Sequence, residues 1–285
     1  MTKSTVSLHS LTLPGPMTLL FSDDGRHAAR TCSTDLIVYS KPTAEQKDVQ
    51  FEGDPKGAPH AVKFSPSQVD SSGQIIDRLR RLLVLNGATI SVWKVSTLVK
   101  LGDLQNVEAD WLHVDFGADE SEIIVFHSWN TRVTIFCLRS NKTTVIKQPK
   151  QATPHGYGYR PRTRELAILL KPEASDVLTI HETQSYKLLN RSALPTVDAQ
   201  GLKWSPDGRW IAIWDLASIG TKVLIYTADG QLFRTYTGPS GVDDSFDTGV
   251  KQIEWNPVGS EGVSHILAVG KVNGNIDLLN TRTVR

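Results

Sequence analysis

Two sequence landmarks recur in step along the chain, and they constrain its fold more than any other feature. The first is an aromatic residue that follows alternating apolar positions and precedes a polar turn, as in the segment GLKWSPDGRW. The aromatics of this kind are Phe21, Phe64, Phe116, Tyr159, Trp204 and Trp255, so successive members lie 43 to 52 residues apart. Regular spacing over this distance indicates a repeated structural unit.

The second landmark ends a run of β-forming residues in each repeat. Its members are Tyr39, Trp93, Phe136, His181, Tyr226 and Leu279, spaced 43 to 54 residues apart. Each repeat has room for four strands of about five to seven residues joined by short turns. In the fifth repeat, alternation predicts strands over 200–204, 209–214, 221–227 and 231–237. Four short antiparallel strands per repeat are typical of a β-propeller blade.

The sequence therefore predicts an all-β, WD-repeat-like β-propeller with six recognisable four-stranded blades, forming a single domain over 1–285. The predicted blades cover 14–53, 58–104, 106–148, 151–193, 196–238 and 248–285. The first-landmark aromatics are the predicted structural anchors of these blades. The alternating stretch TVSLHSLTL over 5–13 is expected to pair with the last blade and close a ring of six, because propellers protect their edges by completing one blade with both termini. The competing outcome is an open arc with a gap where further repeat sequence would lie.

The dipeptide Trp214-Asp215 is not the Trp-Asp signature that gives WD repeats their name. That signature closes the third strand of a blade, whereas Trp214 closes the predicted second strand of its repeat. No second-landmark residue is followed by Asp, and the Gly-His pair is also missing. The usual buried hydrogen-bond relay is therefore not expected, and aromatic and β-branched packing is expected to hold the blades instead.

Composition and motifs argue against several classes of function. The 31 Lys and Arg residues balance 30 Asp and Glu residues, so no bulk charge favours nucleic acid or an anionic membrane. Two cysteines do not make a Cys-rich zinc site, and GxSxG, GxxxxGK[ST] and HExxH motifs are missing. We therefore expect no enzyme activity, cofactor, metal or small-molecule substrate. With no signal peptide and no apolar run of about 20 residues, a cytoplasmic location away from membranes is predicted.

Five residues are candidates for partner binding. Trp129 lies in the polar turn HSWNTR beside Arg132, and it is either a partner hot spot or a cap on a neighbouring blade. Arg160 and Arg162, in the segment RPRTR, either face an acidic partner or lie in a solvated turn. Asp215 either binds a partner or initiates the turn that follows its strand.

Four segments resemble successive blades of the WD-repeat adaptor family found at fungal spindle poles and animal centriolar satellites. They are GLKWSPDGRWIAIWD, TKVLIYTADGQLFRTYTG, GVKQIEWNPVG and ILAVGKVNGNIDLLN. The family's Ala-Val/Ile-Trp-Asp second strand matches 212–215, and its Ile-Tyr-x-x-Asp-Gly turn matches 225–230. The resemblance is strong from about residue 196 onward and looser before it. Members of that family continue with further repeats, seven or more blades in all, so this chain is expected to be either a shortened member or a truncated gene model.

The resemblance implies a noncatalytic adaptor at the spindle pole, centrosome or another microtubule-organising centre. Such an adaptor joins a coiled-coil anchoring protein to a minus-end-directed kinesin and thereby tethers microtubule minus ends in mitosis. An alternative of a different class is a propeller subunit in translation initiation or another RNA–protein assembly, because divergent initiation-factor propellers share WSPDG-type turns like 204–208.

Overall fold

The computed structural model describes residues 17–32, 35–40, 45–50, 59–86, 89–104, 110–238, 248–257 and 265–281. These residues form β-strands joined by turns and three short 3-10 helices, so the all-β prediction is confirmed. The chain divides into two compact units, Met1–Ala109 and Asp110–Arg285. The closing strand predicted over 5–13 lies outside the described residues.

The first unit contains two four-stranded antiparallel sheets, each a simple meander in chain order. Strands of the first sheet are β1 (Met17–Phe21), β2 (His27–Cys32), β3 (Asp35–Ser40) and β4 (Glu45–Gln50). Strands of the second sheet are β5 (Pro59–Phe64), β6 (Arg81–Asn86), β7 (Thr89–Lys94) and β8 (Val99–Asp103). A 3-10 helix, Asp77–Leu79, lies in the long connection between β5 and β6.

The second unit contains four sheets, of which three are four-stranded and the last has three described strands. Strands of the third sheet are β9 (Trp111–Phe116), β10 (Glu122–His127), β11 (Arg132–Cys137) and β12 (Lys142–Lys147). The fourth sheet comprises β13 (Tyr157–Tyr159), β14 (Leu166–Leu170), β15 (Val177–His181) and β16 (Leu188–Ala193). The fifth comprises β17 (Gly201–Trp204), β18 (Trp210–Trp214), β19 (Val223–Thr227) and β20 (Leu232–Tyr236). The sixth comprises β21 (Val250–Trp255), β22 (Ile266–Lys271) and β23 (Ile276–Asn280).

The two landmarks of each repeat lie on one rung of its sheet. In the fifth sheet, Trp204 is the register partner of Ile211, and Ile211 is the partner of Tyr226. The same three-residue rung occurs in every other sheet: Phe21–Ala28–Tyr39, Phe64–Leu82–Trp93, Phe116–Ile123–Phe136, Tyr159–Leu166–His181 and Trp255–Leu267–Leu279. The six sheets are therefore structurally equivalent repeats, in which the sequence landmarks mark one position.

Within a unit, the first-landmark side chain faces the sheet that precedes it in the chain. Trp204 packs among residues of the fourth and fifth sheets, and its indole Nε1 donates to the carbonyl of Gly158 at 3.0 Å. Trp255 repeats this contact one sheet later, where its Nε1 donates to the carbonyl of Lys203 at 3.1 Å. The indoles thus join apolar packing to a hydrogen bond between neighbouring inner strands.

Phe21 departs from the predicted anchoring role. Phe116, Trp204 and Trp255 are buried and Phe64 and Tyr159 are partly buried, whereas Phe21 is 64% exposed. The reason is its position in β1, the first described strand, where no earlier described sheet of the same unit packs on its outward side. Its neighbour Leu20 points the other way and packs against the second sheet, as strand alternation requires.

Local turn chemistry explains why the strands begin where they do. In the fifth sheet, Ser205 Oγ donates to Asp207 at 2.6 Å and accepts from the backbone N–H of Trp210 at 2.9 Å. Gly208 completes this turn with a φ of 72°, a left-handed conformation that glycine adopts without strain. The first sheet has the same arrangement at Ser22, Asp24 and Gly25. The repeated Ser-x-Asp-Gly pattern therefore encodes the turn from first to second strand.

Candidate protein-binding surface

Six described connections of the second unit lie at the same end of its sheets, because antiparallel strands reverse direction at each turn. They are 128–131, 148–156, 171–176, 194–200, 215–222 and 272–275. We refer to this set of connections as the Trp129 end. Exposed apolar side chains at the Trp129 end are Leu112 at the start of β9, Val197, Ile219 and Val272, in addition to Trp129.

Trp129 is the most exposed large apolar residue among those that the structure describes. Its residue exposure is 92%, and it lies in the 3-10 helix Ser128–Asn130 with φ 60° and ψ 18°. Asn130 beside it also has a positive φ, of 51°. A left-handed backbone is unfavourable for a bulky residue by roughly 1–2 kcal/mol, so this turn places a tryptophan in solvent at a conformational cost.

The Trp129 turn is nevertheless held firmly on both sides. Ser128 donates twice to the carbonyl of Asp110, from its backbone N–H at 2.8 Å and from Oγ at 2.6 Å. Asn130 Nδ2 donates to the carbonyl of Lys150 at 3.0 Å. Backbone strain at an exposed residue persists only where the surroundings fix it, and it is concentrated at functional sites.

A buried polar relay supports the strand that leads into this turn. His127 is 2% exposed, with Nδ1 2.7 Å from Asp110 Oδ1 and Nε2 3.0 Å from Thr134 Oγ1. The hydrogen bond to His127 lowers the pKa of the Asp110 carboxyl. The expectation that packing alone holds the blades is therefore wrong for the third sheet, which has an Asp-His-Thr relay. Its sequence signal is the histidine that ends the apolar run EIIVFH.

Asp215 occupies the same register position as His127 and is likewise buried. It is fully buried, and its carboxylate accepts backbone N–H bonds from Val197 at 2.9 Å, Asp198 at 2.8 Å and Leu216 at 2.8 Å. Burial raises its pKa, but these hydrogen bonds outweigh burial and hold the pKa below its usual range. Asp215 therefore fixes the connection between β16 and β17 and is not available to a partner.

An ionic cluster that the sequence analysis missed fixes the neighbouring connections. The ammonium of Lys150 lies 2.5 Å from Asp176 and 2.6 Å from Asp198, and Lys171 lies 2.8 Å from Asp198. Asp176 also accepts the backbone N–H of Ala199 at 2.6 Å. The hydrogen bonds from Lys150 and Lys171 lower the pKa of Asp198 to about 2. No local pattern identifies this cluster, because its members come from three separate connections.

Arg132, the predicted neighbour of Trp129, begins β11 and is partly buried. Its positive charge contributes to the lowered pKa of Asp110, after the larger effect of His127. In register it faces Lys147, which is exposed at the end of β12. The two basic residues border the Trp129 turn.

The other two predicted partner residues lie at the opposite end of the second unit, in the turn between β13 and β14. Arg160 is directed inward, with Nε 2.7 Å from the carbonyl of Gly208 and Nη1 2.8 Å from Glu165. Its guanidinium also lies 5.7 Å from the Trp204 ring centroid. Arg162 is exposed, with a φ of 68°. The five candidates therefore do not form one site, and only Trp129 and Arg132 share a surface.

Comparisons with known proteins bear on the class of this chain. No protein-family model matches it. It is 29% identical over 162 residues to the mouse WD repeat-containing protein WRAP73, and 27% identical over 164 residues to an uncharacterized WD repeat-containing protein of Schizosaccharomyces pombe. Each match covers 57% of this chain and 32% of the relative. The chain thus aligns with about a third of the length of the curated relatives that it matches.

Solved structures with the same fold are β-propellers. Kluyveromyces lactis Hsv2 matches with a TM-score of 0.58 and 12% identity, over 93% of this chain and 74% of that structure. The Dos1 propeller matches with a TM-score of 0.56 and 11% identity, over 94% of this chain and 68% of that structure. The Myceliophteria thermophila Cps50 (Swd1) propeller domain matches with a TM-score of 0.53 and 13% identity, over 92% of this chain and 82% of that domain.

The repeated rungs and these likenesses define the fold as a β-propeller. The chain is similar in sequence to WD-repeat proteins, and the predicted β-propeller fold class is confirmed. Among the described residues, no helix has the length and apolar character needed to span a bilayer. The same residues contain no group of three or more His, Cys, Asp or Glu side chains that could hold a metal ion.

Proposed function

We propose that this chain is a noncatalytic WD-repeat adaptor that binds a protein partner through the Trp129 turn. The observation that carries the proposal is a tryptophan 92% exposed in a strained yet firmly held turn. Tryptophan and arginine are enriched among residues that dominate binding energy, and Arg132 borders this turn. A preformed turn also loses little conformational entropy on binding.

We further propose that the adaptor acts at the spindle pole or another microtubule-organising centre in the cytoplasm. Its partners there are a coiled-coil anchoring protein and a minus-end-directed kinesin, and the complex anchors microtubule minus ends. The support is the sequence resemblance from residue 196 onward, which includes the 212–215 and 225–230 motifs.

Affinity purification of the tagged full chain from mitotic cells, together with imaging of its location, tests this proposal. The expected result is recovery of a coiled-coil protein with a kinesin, and one or two perinuclear foci. Diffuse fluorescence with ribosome co-sedimentation would contradict the spindle-pole proposal and favour a translation role.

A further inference from the structure

A cavity separate from the Trp129 turn lies toward the other end of β10. It encloses about 650 Å³ between the third sheet and the turn that joins β15 to β16. Its walls are polar and apolar in about equal measure and include Glu122, Cys137, Thr143, Thr144, Gln184 and Tyr186. The proposed adaptor function makes no use of this cavity.

Glu122 is the unusual residue of the cavity. It is only 2% exposed, yet both of its hydrogen bonds reach the same oxygen, Oε2. The donors are the backbone N–H of Ala118 at 3.2 Å and the phenol of Tyr186. Within the described part of the chain, Oε1 has no hydrogen-bond donor. A buried carboxylate is costly unless it is paired and fully hydrogen-bonded.

The charged neighbours of Glu122 do not neutralise it. Arg139, the nearest guanidinium along the cavity wall, lies 2.5 Å from Glu120 and 3.6 Å from Asp119. Lys142 is exposed at the start of β12. Burial raises the pKa of Glu122, and the nearby charge of Asp119 raises it further, although the Tyr186 hydrogen bond and the charge of Arg139 act in the opposite direction.

The residues around Glu122 hold it in place. Two of them have an unfavourable backbone conformation, and a glycine packs closely against the Glu122 side chain. Tyr186 has a φ of 53° and Gln184 one of 62°, left-handed values that are uncommon for such side chains. The Tyr186 phenol reaches Glu122 and lies 3.2 Å from that of Tyr159. At Gly117, an added Cβ would lie 2.7 Å from Glu122 Cβ, so a glycine is needed there. Strain and close fit around a half-satisfied buried carboxylate are typical of a binding site rather than a stabilising core.

We propose that this cavity receives an arginine side chain from a partner polypeptide, with the Glu122 carboxylate as its counter-ion. A guanidinium offers five planar donors, so it pairs with Oε1 and also reaches hydroxyl groups such as those of Thr143 and Thr144. It tolerates a partly buried ion pair better than a strongly hydrated ammonium does. The site is separate from Trp129 and does not depend on the adaptor proposal.

Titration of the ¹⁵N-labelled full chain with the peptide acetyl-Gly-Arg-Gly-amide tests the proposal. We expect saturable shifts of the amides around Glu122, Tyr186 and Thr144. The isosteric citrulline peptide, which lacks the charge, is expected to bind at least about tenfold more weakly, in line with the strength of charge-assisted hydrogen bonds. Glu122→Gln is expected to weaken the binding of the arginine peptide by a similar factor. Glu182→Gln, which removes an exposed carboxylate from the adjacent turn, is expected to leave binding unchanged.

A stability measurement separates this role from a structural one. Glu122→Gln keeps the size and the hydrogen-bonding shape of the side chain, and it removes the cost of burying a charge. Because the folded pKa of Glu122 is raised, the wild type loses stability as pH rises above the usual glutamate value. The melting temperature of Glu122→Gln is therefore expected to equal or exceed that of the wild type at neutral pH, with a gap that narrows toward about pH 4. A lower melting temperature, equal binding by the variant, or no arginine-specific binding by the wild type would each overturn the proposal.

Discussion

The connections β10–β11 and β18–β19 occupy equivalent positions in the third and fifth sheets, yet they use their distinctive residues in opposite ways. The first exposes Trp129 almost completely in a left-handed conformation, whereas the second buries Asp215 completely among backbone donors. One turn accepts strain to present a side chain, and the other uses a side chain to stabilise its neighbours. Equivalent connections of the repeat therefore differ in whether their distinctive side chain is exposed or buried, and mutations at the two turns are expected to have different effects.

Trp204→Ala is expected to cause the largest loss of stability. Compared with a substitution at the exposed Trp129, it tests whether burial, rather than residue type, decides the stability that a tryptophan contributes. Removal of a large aromatic from packed inner strands is expected to lower the free energy of unfolding by roughly 3 to 5 kcal/mol. Denaturant titration of the purified chain measures this loss. A loss below about 1 kcal/mol would mean that the shared rung is not a packed element of the sheet.

Asp215→Ala is expected to rank second. It removes a fully buried carboxylate and leaves the part-buried N–H groups of Val197, Asp198 and Leu216 without that acceptor. We expect a loss of roughly 2 to 4 kcal/mol in unfolding free energy, since each unsatisfied buried donor is costly. Asp215→Asn retains one oxygen acceptor and is expected to lose less. Equal losses for the two variants would contradict the assigned role of the hydrogen bonds.

Asp198→Asn tests the ionic cluster through its pH dependence. The folded pKa of Asp198 is lowered to about 2 by Lys150 and Lys171, so its stabilisation is present above its usual value and is lost as pH falls toward the folded value. The wild type is therefore expected to melt a few degrees above Asp198→Asn near neutral pH. Thermal melts between about pH 7 and about pH 2.5 are expected to show this gap closing with acidification. A gap that widens instead would place the stabilising charge elsewhere.

Trp129→Gly gives the smallest expected change in stability. Glycine adopts a positive φ without a steric penalty, and the exposed ring contributes little packing. The free energy of unfolding is expected to stay within about 1 kcal/mol of the wild-type value, with relief of strain offsetting the greater freedom of glycine when unfolded. A large loss in the same denaturant assay would show that Trp129 packs in solution as the cap on a neighbouring blade.

The repeat framework was predictable from sequence because it depends on local information. Alternation fixes the strands, and Ser-x-Asp-Gly turns join the first two strands in the first and fifth sheets. The landmarks lie on one rung in all six sheets. The burial of Asp215 was less accessible, because its donors at Val197 and Asp198 belong to another connection. The exposure of Phe21 likewise depends on what lies beyond its sheet, which its local pattern does not encode. Buried polar groups such as Glu122 and Asp176 contact residues that are far apart in sequence. Residue order alone does not predict these contacts.

Quantitative capture of partners by Trp129→Ala tests whether the exposed tryptophan binds a protein partner. The wild type, Trp129→Ala and Leu188→Ala are each used as bait in the same mitotic extract, after their melting temperatures have been shown to match. The control, Leu188→Ala, shortens a half-exposed side chain on β16. We expect capture of the proteins enriched by the wild type to fall at least about tenfold for Trp129→Ala, the loss of about 1.4 kcal/mol or more expected of a hot spot, and to remain unchanged for Leu188→Ala. Undiminished capture of those proteins by folded Trp129→Ala would contradict this expectation.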